Sequence, residues 1–438
     1  MSAAPPRGAR PRNALRRDAT MVAAGQLAAV LSAFLLTLVG ARVLPPDDFG
    51  ALSWGLSWLT YLAVIAQFGL TQVATIAFAR GDDGRLLRRL LVAQAIPLLA
   101  VVLLWQGALG PLAAGTGTPP EAYRPLVLVV ALWLPAAAVG PVVVNALRAR
   151  DRFGLSLAFG EHVRRVVLIG ALLALVAAAA GPALQTALWW TVGIETAVYA
   201  LGVLVLARVV ARPVEPAGEP APTPAQLLRS GSGFTLATLA SATIPQAGIW
   251  VLAAFAPVGE VAVFAVAVRI AVLLAVPTAI AMRTLAPRIA AASAAGRLST
   301  LEGAIRRAAT WSTLATAPAV LVLATAGHVL LPAVFGPDYR AALVPSLVLC
   351  AGVLVNAWTG PCSVVLSHAG HPRVVAVSAL VAALAFFALS AWWAPLWGGT
   401  GVAAAAAVAM GARNLHLARA ARSTLGIRTI ARFARSGG

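Results

Sequence analysis

Apolar runs of membrane-spanning length, separated by short polar or proline-bearing breaks, recur along the whole chain. Twelve can be drawn: near 20–42, 49–79 and 90–109, then to about 147, to about 180 and to about 207, then near 232–255, 260–285, 308–326, 341–366, 374–394 and 398–419. A helix needs about 20 apolar residues to cross a hydrocarbon core ~30 Å thick, so each run predicts one spanning helix. The fold class that follows is an all-α polytopic membrane protein. A secretory signal is not expected at the start, because the apolar run over 19–43 is too long and no soluble sequence follows it.

The breaks set the organisation. Residues 1–18 form an Arg-rich arm. Residues 80–89 (RGDDGRLLRR) are a charged connector, and 110–125 (GPLAAGTGTPPEAYRP) reads as a Gly/Pro-rich loop. The largest composition shift is at 208–229 (RVVARPVEPAGEPAPTPAQLLR), which carries five prolines and no aromatic residue. It predicts a linker between a six-helix lobe over 19–207 and a second over 230–420, with a basic tail over 421–438.

The two halves share a sparse repeat. Leu44–Ala51 (LPPDDFGA) can be laid on Ala256–Val263 (APVGEVAV), proline on proline and acid on acid. Tyr123-Arg124 and Tyr339-Arg340 precede corresponding spans, and Gly140-Pro141 corresponds to Gly360-Pro361. Three matches in one order point to duplication. Six spans per half make it a parallel repeat about an axis along the membrane normal.

Composition narrows the class further. Hydrophobic residues make up 60 %, charged residues 11 %, and mean hydropathy is +0.88, against about 25 % charged residues in soluble domains. The net charge of +19 would suggest nucleic acid in a soluble protein. Here position explains it, and no nucleic-acid partner is expected. All 33 basic residues are arginine, which suggests a GC-rich bacterial genome. All but four of them fall in segments assigned to one side of the membrane; Arg42, Arg124 and Arg340 lie on the other side and Arg269 inside a span. The positive-inside rule makes the Arg-rich side cytoplasmic and puts both termini there, in a cell membrane. Cys350 and Cys362 show no metal spacing or disulfide framework and are expected as buried free thiols.

The opening of the first lobe carries a family signal. Residues 41–80 read ARVLPPDDFGALSWGLSWLTYLAVIAQFGLTQVATIAFAR. Pro45-Pro46 stops the first span, Asp47 and Asp48 suit the N-terminus of the next helix, Gly69-Leu70 interrupts it and Arg80 closes it. This opening resembles the polysaccharide and lipid-linked-oligosaccharide flippases of the multidrug/oligosaccharidyl-lipid/polysaccharide exporter superfamily. The resemblance extends over about residues 15–420. It implies two six-helix lobes around a cationic cavity that receives a lipid-pyrophosphate head group.

No enzyme, cofactor or metal is expected: the outer loops are short, and no GxxxxGK phosphate loop is present. Arg269 lies about ten residues into the eighth span, so about 15 Å deep. An arginine there costs roughly 2.5–3.5 kcal/mol and must face protein or water. It is read as a cavity cation for an anionic head group, against an ion pair with Glu195 in the sixth span. Glu195 is read first as the neutraliser of an arginine, second as a protonatable coupling site. Gln26, Gln67, Gln72 and Gln246 are candidates to line a sugar-binding cavity, against interhelical hydrogen bonding shared with Gln94, Asn145 and Asn356. Trp250 and Trp58 are candidates to stack on sugars, whereas Trp189, Trp190, Trp392 and Trp393 suit the interfacial belt. Arg80, Arg88, Arg89 and Arg283, with Arg164 and Arg165, lie at cytoplasmic helix ends and fit either anionic-lipid contact or an entrance for the substrate. The functions weighed are a flippase for an undecaprenyl-diphosphate-linked oligosaccharide, an ion-coupled small-molecule exporter, a lipid II flippase, and a scaffold for polysaccharide assembly. The expected partners are membrane lipid, the lipid-linked glycan, and glycosyltransferases or a polymerase.

Overall fold

The computed structural model describes residues 12–79, 84–117, 119–150, 152–160, 162–177, 184–210 and 222–433, with side chains of the first helix from residue 28 onward. The N-terminal lobe holds α1 (Arg12–Val43), α2 (Pro46–Gln67), α3 (Leu70–Ala79), α4 (Gly84–Leu104), α5 (Gly110–Gly115), α6 (Arg124–Ala149), α7 (Phe153–Ala158), α8 (His162–Ala177) and α9 (Leu184–Val210). The C-terminal lobe holds α10 (Pro224–Phe255), α11 (Val258–Leu274), α12 (Val276–Ala294), α13 (Glu302–Phe335), α14 (Leu343–Thr359), α15 (Cys362–His368) and α16 (Pro372–Leu425). Among the described residues, seven helical segments are each long and apolar enough to cross a membrane, and α11 with α12, bent by 45°, makes an eighth. α16 enters that count once, yet Gly398 breaks it into two spans at φ 53, ψ −133. A side chain at Gly398 would strike the Glu260 carboxylate, which accepts the amide of Gly399 at 2.7 Å and so caps the second half of α16. With α1, α8 and α10 the spans number twelve, six per lobe.

Two breaks differ from the sequence reading. The third span does not end near residue 109: a π-turn over Trp105–Leu109 carries it into α5, as far as Gly115. α9 and α10 also run into the linker from both sides. α10 starts on a capping box in which Thr223 and Gln226 satisfy each other's backbone amides, with Pro224 as its first residue. The N-terminal arm through residue 11, Arg80 and its neighbours through 83, linker residues 211–221 and tail residues 434–438 lie outside the described residues.

The repeat is visible in the backbone. Pro45 and Pro257 are the N-cap residues of α2 and α11, at φ −53, ψ 150 and φ −57, ψ 153. Both spans that follow are discontinuous, at Phe68-Gly69 between α2 and α3 and at Ala275 between α11 and α12. Tyr123 follows a short 3₁₀ turn, Tyr339 lies within one, and both are buried. The third match departs from symmetry: α6 continues through Pro141, whereas α14 ends before Gly360.

The lobes meet along one seam. On one side α2 packs on α10 and α11; on the other, α1 packs on α11 and α13. Gly50 touches Val258 so closely that a Cβ would strike its carbonyl, and Gly69 and Gly231 meet backbone to backbone. These contacts close opposite ends of the α2 side. We call the end with Pro46 and Pro257 the acid-bearing face and the other the arginine-rich face. On the acid-bearing face Arg42 of α1 also donates to the carbonyls of Val334 (2.8 Å) and Ala333 in α13.

After α16 the chain forms an extended strap, not a surface helix. The amide of Ala431 donates to Trp358 O (2.8 Å), Arg306 Nε donates to Ile430 O (3.2 Å), and the Arg432 amide donates to Thr310 Oγ1 (3.0 Å). Ile427 and Thr429 are buried beneath it. The strap ties α13 to the end of α14 on the arginine-rich face.

Candidate functional site

Along the α1 side of the seam, the lining is cationic. α11 positions Arg269, whose Nε donates to Thr37 Oγ1 of α1 at 3.1 Å. No carboxylate pairs with Arg269 among the described residues. The charge of another arginine, Arg165 of α8, acts on it. Arg165 donates from Nη1 to Ala29 O (2.9 Å) and lies 3.4 Å from Ser32 Oγ, both on α1. Thus α1 carries a ladder of oxygen acceptors that holds two guanidinium groups from flanking helices in the bundle. Arg269 is half-buried, so part of its fork stays open. Two like charges held together without a carboxylate at Arg269 suit an anion that accepts from both.

The ion pair between Arg269 and Glu195 is not formed. α9 packs on α6 and α8, away from α11. Glu195 is fully buried there and accepts the indole N–H of Trp133, both within the N-terminal lobe. It therefore lies in the lobe interior and not on the seam.

Along the α2 side, the lining is neutral and aromatic. Trp58 of α2 and Trp250 of α10 stack face to face across the seam, with centroids 4.0 Å apart and planes 12° from parallel. Trp250 Nε1 donates to Ser57 Oγ at 2.7 Å, and Tyr61 Oη shares a hydrogen bond with Thr243 Oγ1 at 3.2 Å; both cross between lobes. Behind Trp58 stand Trp54, Trp105 and Tyr123, all fully buried and in ring contact. Trp105 is fixed by its own bond to Val127 O at 2.9 Å. The sequence reading named Trp58 and Trp250 but not Ser57, Tyr61 or Thr243. The only signal for these was their spacing: Ser57 and Tyr61, like Thr243 and Trp250, recur at one helix face.

The amides divide. Gln94 donates to Ala138 O (2.7 Å), Asn145 to Pro141 O (2.9 Å), and Asn414 to Asn356 Oδ1 (3.1 Å), so these join helix to helix or turn to turn. Gln67 accepts from Thr71 one turn on, and Gln72 is exposed. Gln246 shares the α10 face of Thr243 and Trp250 and is half-buried. Gln26 lies on α1, but its side chain is outside the described residues. Cys350 and Cys362 are free and buried.

On the arginine-rich face, Arg88 and Arg89 at the start of α4 line a groove of about 310 Å³ with Val92 and with Pro224 of α10. This groove lies at the lobe boundary, and Arg89 reaches across to Pro222 O at 3.3 Å. Arg283 stands exposed on α12, away from this groove. Trp189, Trp190 and Trp392 are exposed near span ends, as interfacial anchors are.

Comparison with known proteins agrees with this architecture. The family described as "Polysaccharide biosynthesis protein" matches residues 15–293. No curated protein sequence matches the chain. Among solved structures, the lipid II flippase MurJ in an inward closed conformation is similar at a TM-score of 0.73 and 12 % identity, over 91 % of this chain and 86 % of that one. An inward-facing MATE-family multidrug resistance transporter of the MOP superfamily is similar at 0.66 and 14 % identity, over 91 % and 94 %. A Vibrio cholerae MATE transporter is similar at 0.61 and 16 % identity, over 94 % and 98 %. At these identities the likeness is one of fold.

Proposed function

The chain belongs to the polysaccharide biosynthesis protein family, and we propose that it moves a lipid-diphosphate-linked oligosaccharide between membrane leaflets. The observation that carries the reading is Arg269, held inside the bundle by a hydroxyl near Arg165, with no carboxylate paired to Arg269 among the described residues. A structural arginine at that depth would be expected to have an acid partner; this one leaves part of its fork open to an anion. A diphosphate offers the oxygens that guanidinium groups bind in pairs.

In this reading the arginine-rich face is cytoplasmic, both termini lie on that side, and the protein works in the bacterial cell membrane. Arg88 and Arg89, with Arg80 and Arg283, draw anionic lipid to the inner surface, each worth about 1 kcal/mol there. Rocking of the two lobes then exposes the seam first to one side and then to the other. An inside-negative potential assists, since each negative charge carried outward gains ~2.3 kcal/mol per 100 mV. Glycosyltransferases that build the oligosaccharide supply the substrate on the cytoplasmic side, and a polymerase consumes it outside.

Leaflet exchange of a tail-labelled polyprenyl-diphosphate oligosaccharide in oriented vesicles tests this. Exchange that rises with the imposed potential and is lost in Arg269→Ala is the expected result. Absence of exchange, with proton- or sodium-driven movement of an organic cation instead, would replace the flippase reading by that of an exporter.

A further inference from the structure

We propose that Trp58 and Trp250 are the two jaws of a carbohydrate clamp that takes one pyranose ring of the glycan between them when the lobes part. The inference rests on the flippase reading and adds to it where the sugar goes.

Two hydrogen bonds beside the stack join the lobes, and a sugar could replace both. The Trp250 indole N–H is taken by Ser57 Oγ, and the Tyr61 hydroxyl is taken by Thr243. The exception is informative: Trp58 Nε1 is buried and has no acceptor among the described residues. A buried donor left unmade is costly, and such groups are rare without a role. Separation of the lobes would leave two apolar ring faces, two indole donors and three hydroxyls facing each other, with no charge among them. That set matches a pyranose, which has an apolar face of axial C–H bonds and an edge of hydroxyls.

The dimensions agree. Carbon atoms in contact lie ~3.5–4 Å apart, so a sugar ring slotted between the indoles requires them to move from 4.0 Å to roughly 8 Å. The N-terminal jaw is preorganised, because Trp54 and Trp105 pack behind Trp58. The clamp and the arginines also lie on different sides of the same seam: α2 with α10 for the sugar, α1 with α11 for the diphosphate. The substrate class is an amphipathic lipid that carries a neutral pyranose beyond its diphosphate.

Binding to the purified full-length protein in detergent tests the clamp with two probes: a tail-labelled polyprenyl-diphosphate disaccharide of pyranoses, and the same polyprenyl diphosphate without sugar. The wild type is expected to prefer the disaccharide lipid by about tenfold, or ~1.4 kcal/mol. Trp58→Leu and Trp250→Leu should erase that preference and leave the affinity for the sugar-free lipid within about twofold, well under the ~1.4 kcal/mol that a tenfold change represents. Tyr61→Phe, which keeps the ring and removes one hydroxyl, should reduce the preference in a protein that elutes as the wild type does. No preference in the wild type, or a preference that survives in both leucine variants, overturns the clamp and leaves the flippase reading intact. If the wild type binds neither lipid, the flippase reading fails and the clamp with it.

Discussion

A guanidinium inside a bilayer is held in place by whatever oxygen reaches it, and at Arg269 that oxygen belongs to Thr37. Arg269→Gln removes the charge and keeps a hydrogen-bonding side chain. It is expected to cut vesicle exchange of the diphosphate lipid by at least ~10-fold, a loss of ~1.4 kcal/mol, with unchanged expression and elution. Arg269→Lys should retain part of the activity, because an ammonium keeps the charge and loses the fork. Glu195 calls for a different assay. Its bond from Trp133 lies within the N-terminal lobe, so Glu195→Gln should still accept the indole and transport normally, with no change in proton dependence. Glu195→Ala orphans that donor and should cost about 1–3 kcal/mol of stability, read as a lower melting temperature in detergent. These two residues show what sequence conveys at this scale. The depth of Arg269 follows from counting along the helix. Its partner does not, because counting fixes height and leaves open which neighbour a helix face meets; Glu195 lay at a compatible depth on a helix that packs elsewhere.

Helices were legible where the chain announces its own punctuation. Pro45 and Pro257 stop and restart spans at matching backbone angles, and the proline–acid pattern around them suffices to find both. Thr223, Pro224 and Gln226 are an equally plain helix start, hidden because they sit in a stretch whose five prolines read as linker. The extension of the third span past Trp105 had no such signal, since Gly110-Pro111 is also how a loop begins. The strap after α16 was illegible for a further reason: its hydrogen bonds run to Arg306, Thr310 and Trp358, far away in sequence. It makes a clear prediction. Truncation after Gly426 removes those bonds together with Ile427, whose burial is worth about 1.5–3 kcal/mol, and uncovers Ile289, Ile305 and Val365 beneath it. The melting temperature should fall by at least ~2 °C, and amides at the start of α13 should exchange faster with deuterium. An unchanged exchange pattern there would mean that the strap does not hold α13.

At the scale of the whole molecule, two close backbone contacts hold the lobes together at opposite ends: Gly50 against Val258 on the acid-bearing face, and Gly69 against Gly231 on the arginine-rich face. Between them the Trp58–Trp250 stack and its cross-lobe hydrogen bonds fill the seam. Packed interfaces of this kind switch between discrete arrangements and do not deform smoothly. A side chain at either glycine position should therefore disfavour closure at its own end and shift the population toward opening there. A bias of ~1.4 kcal/mol already changes the ratio of the two states tenfold. Gln246→Cys, in a protein carrying Cys350→Ser and Cys362→Ser, places a single thiol on the seam face of α10, and an impermeant maleimide reports its access from each side of oriented vesicles. Gly231→Val should raise labelling from the arginine-rich face, and Gly50→Val should raise it from the acid-bearing face. Both should slow lipid exchange, because a transport cycle needs each end to close in turn. If the two substitutions raise labelling from the same side, or leave it unchanged, the lobes do not rock about this seam, and the arginines and tryptophans would have to meet their ligand by another motion.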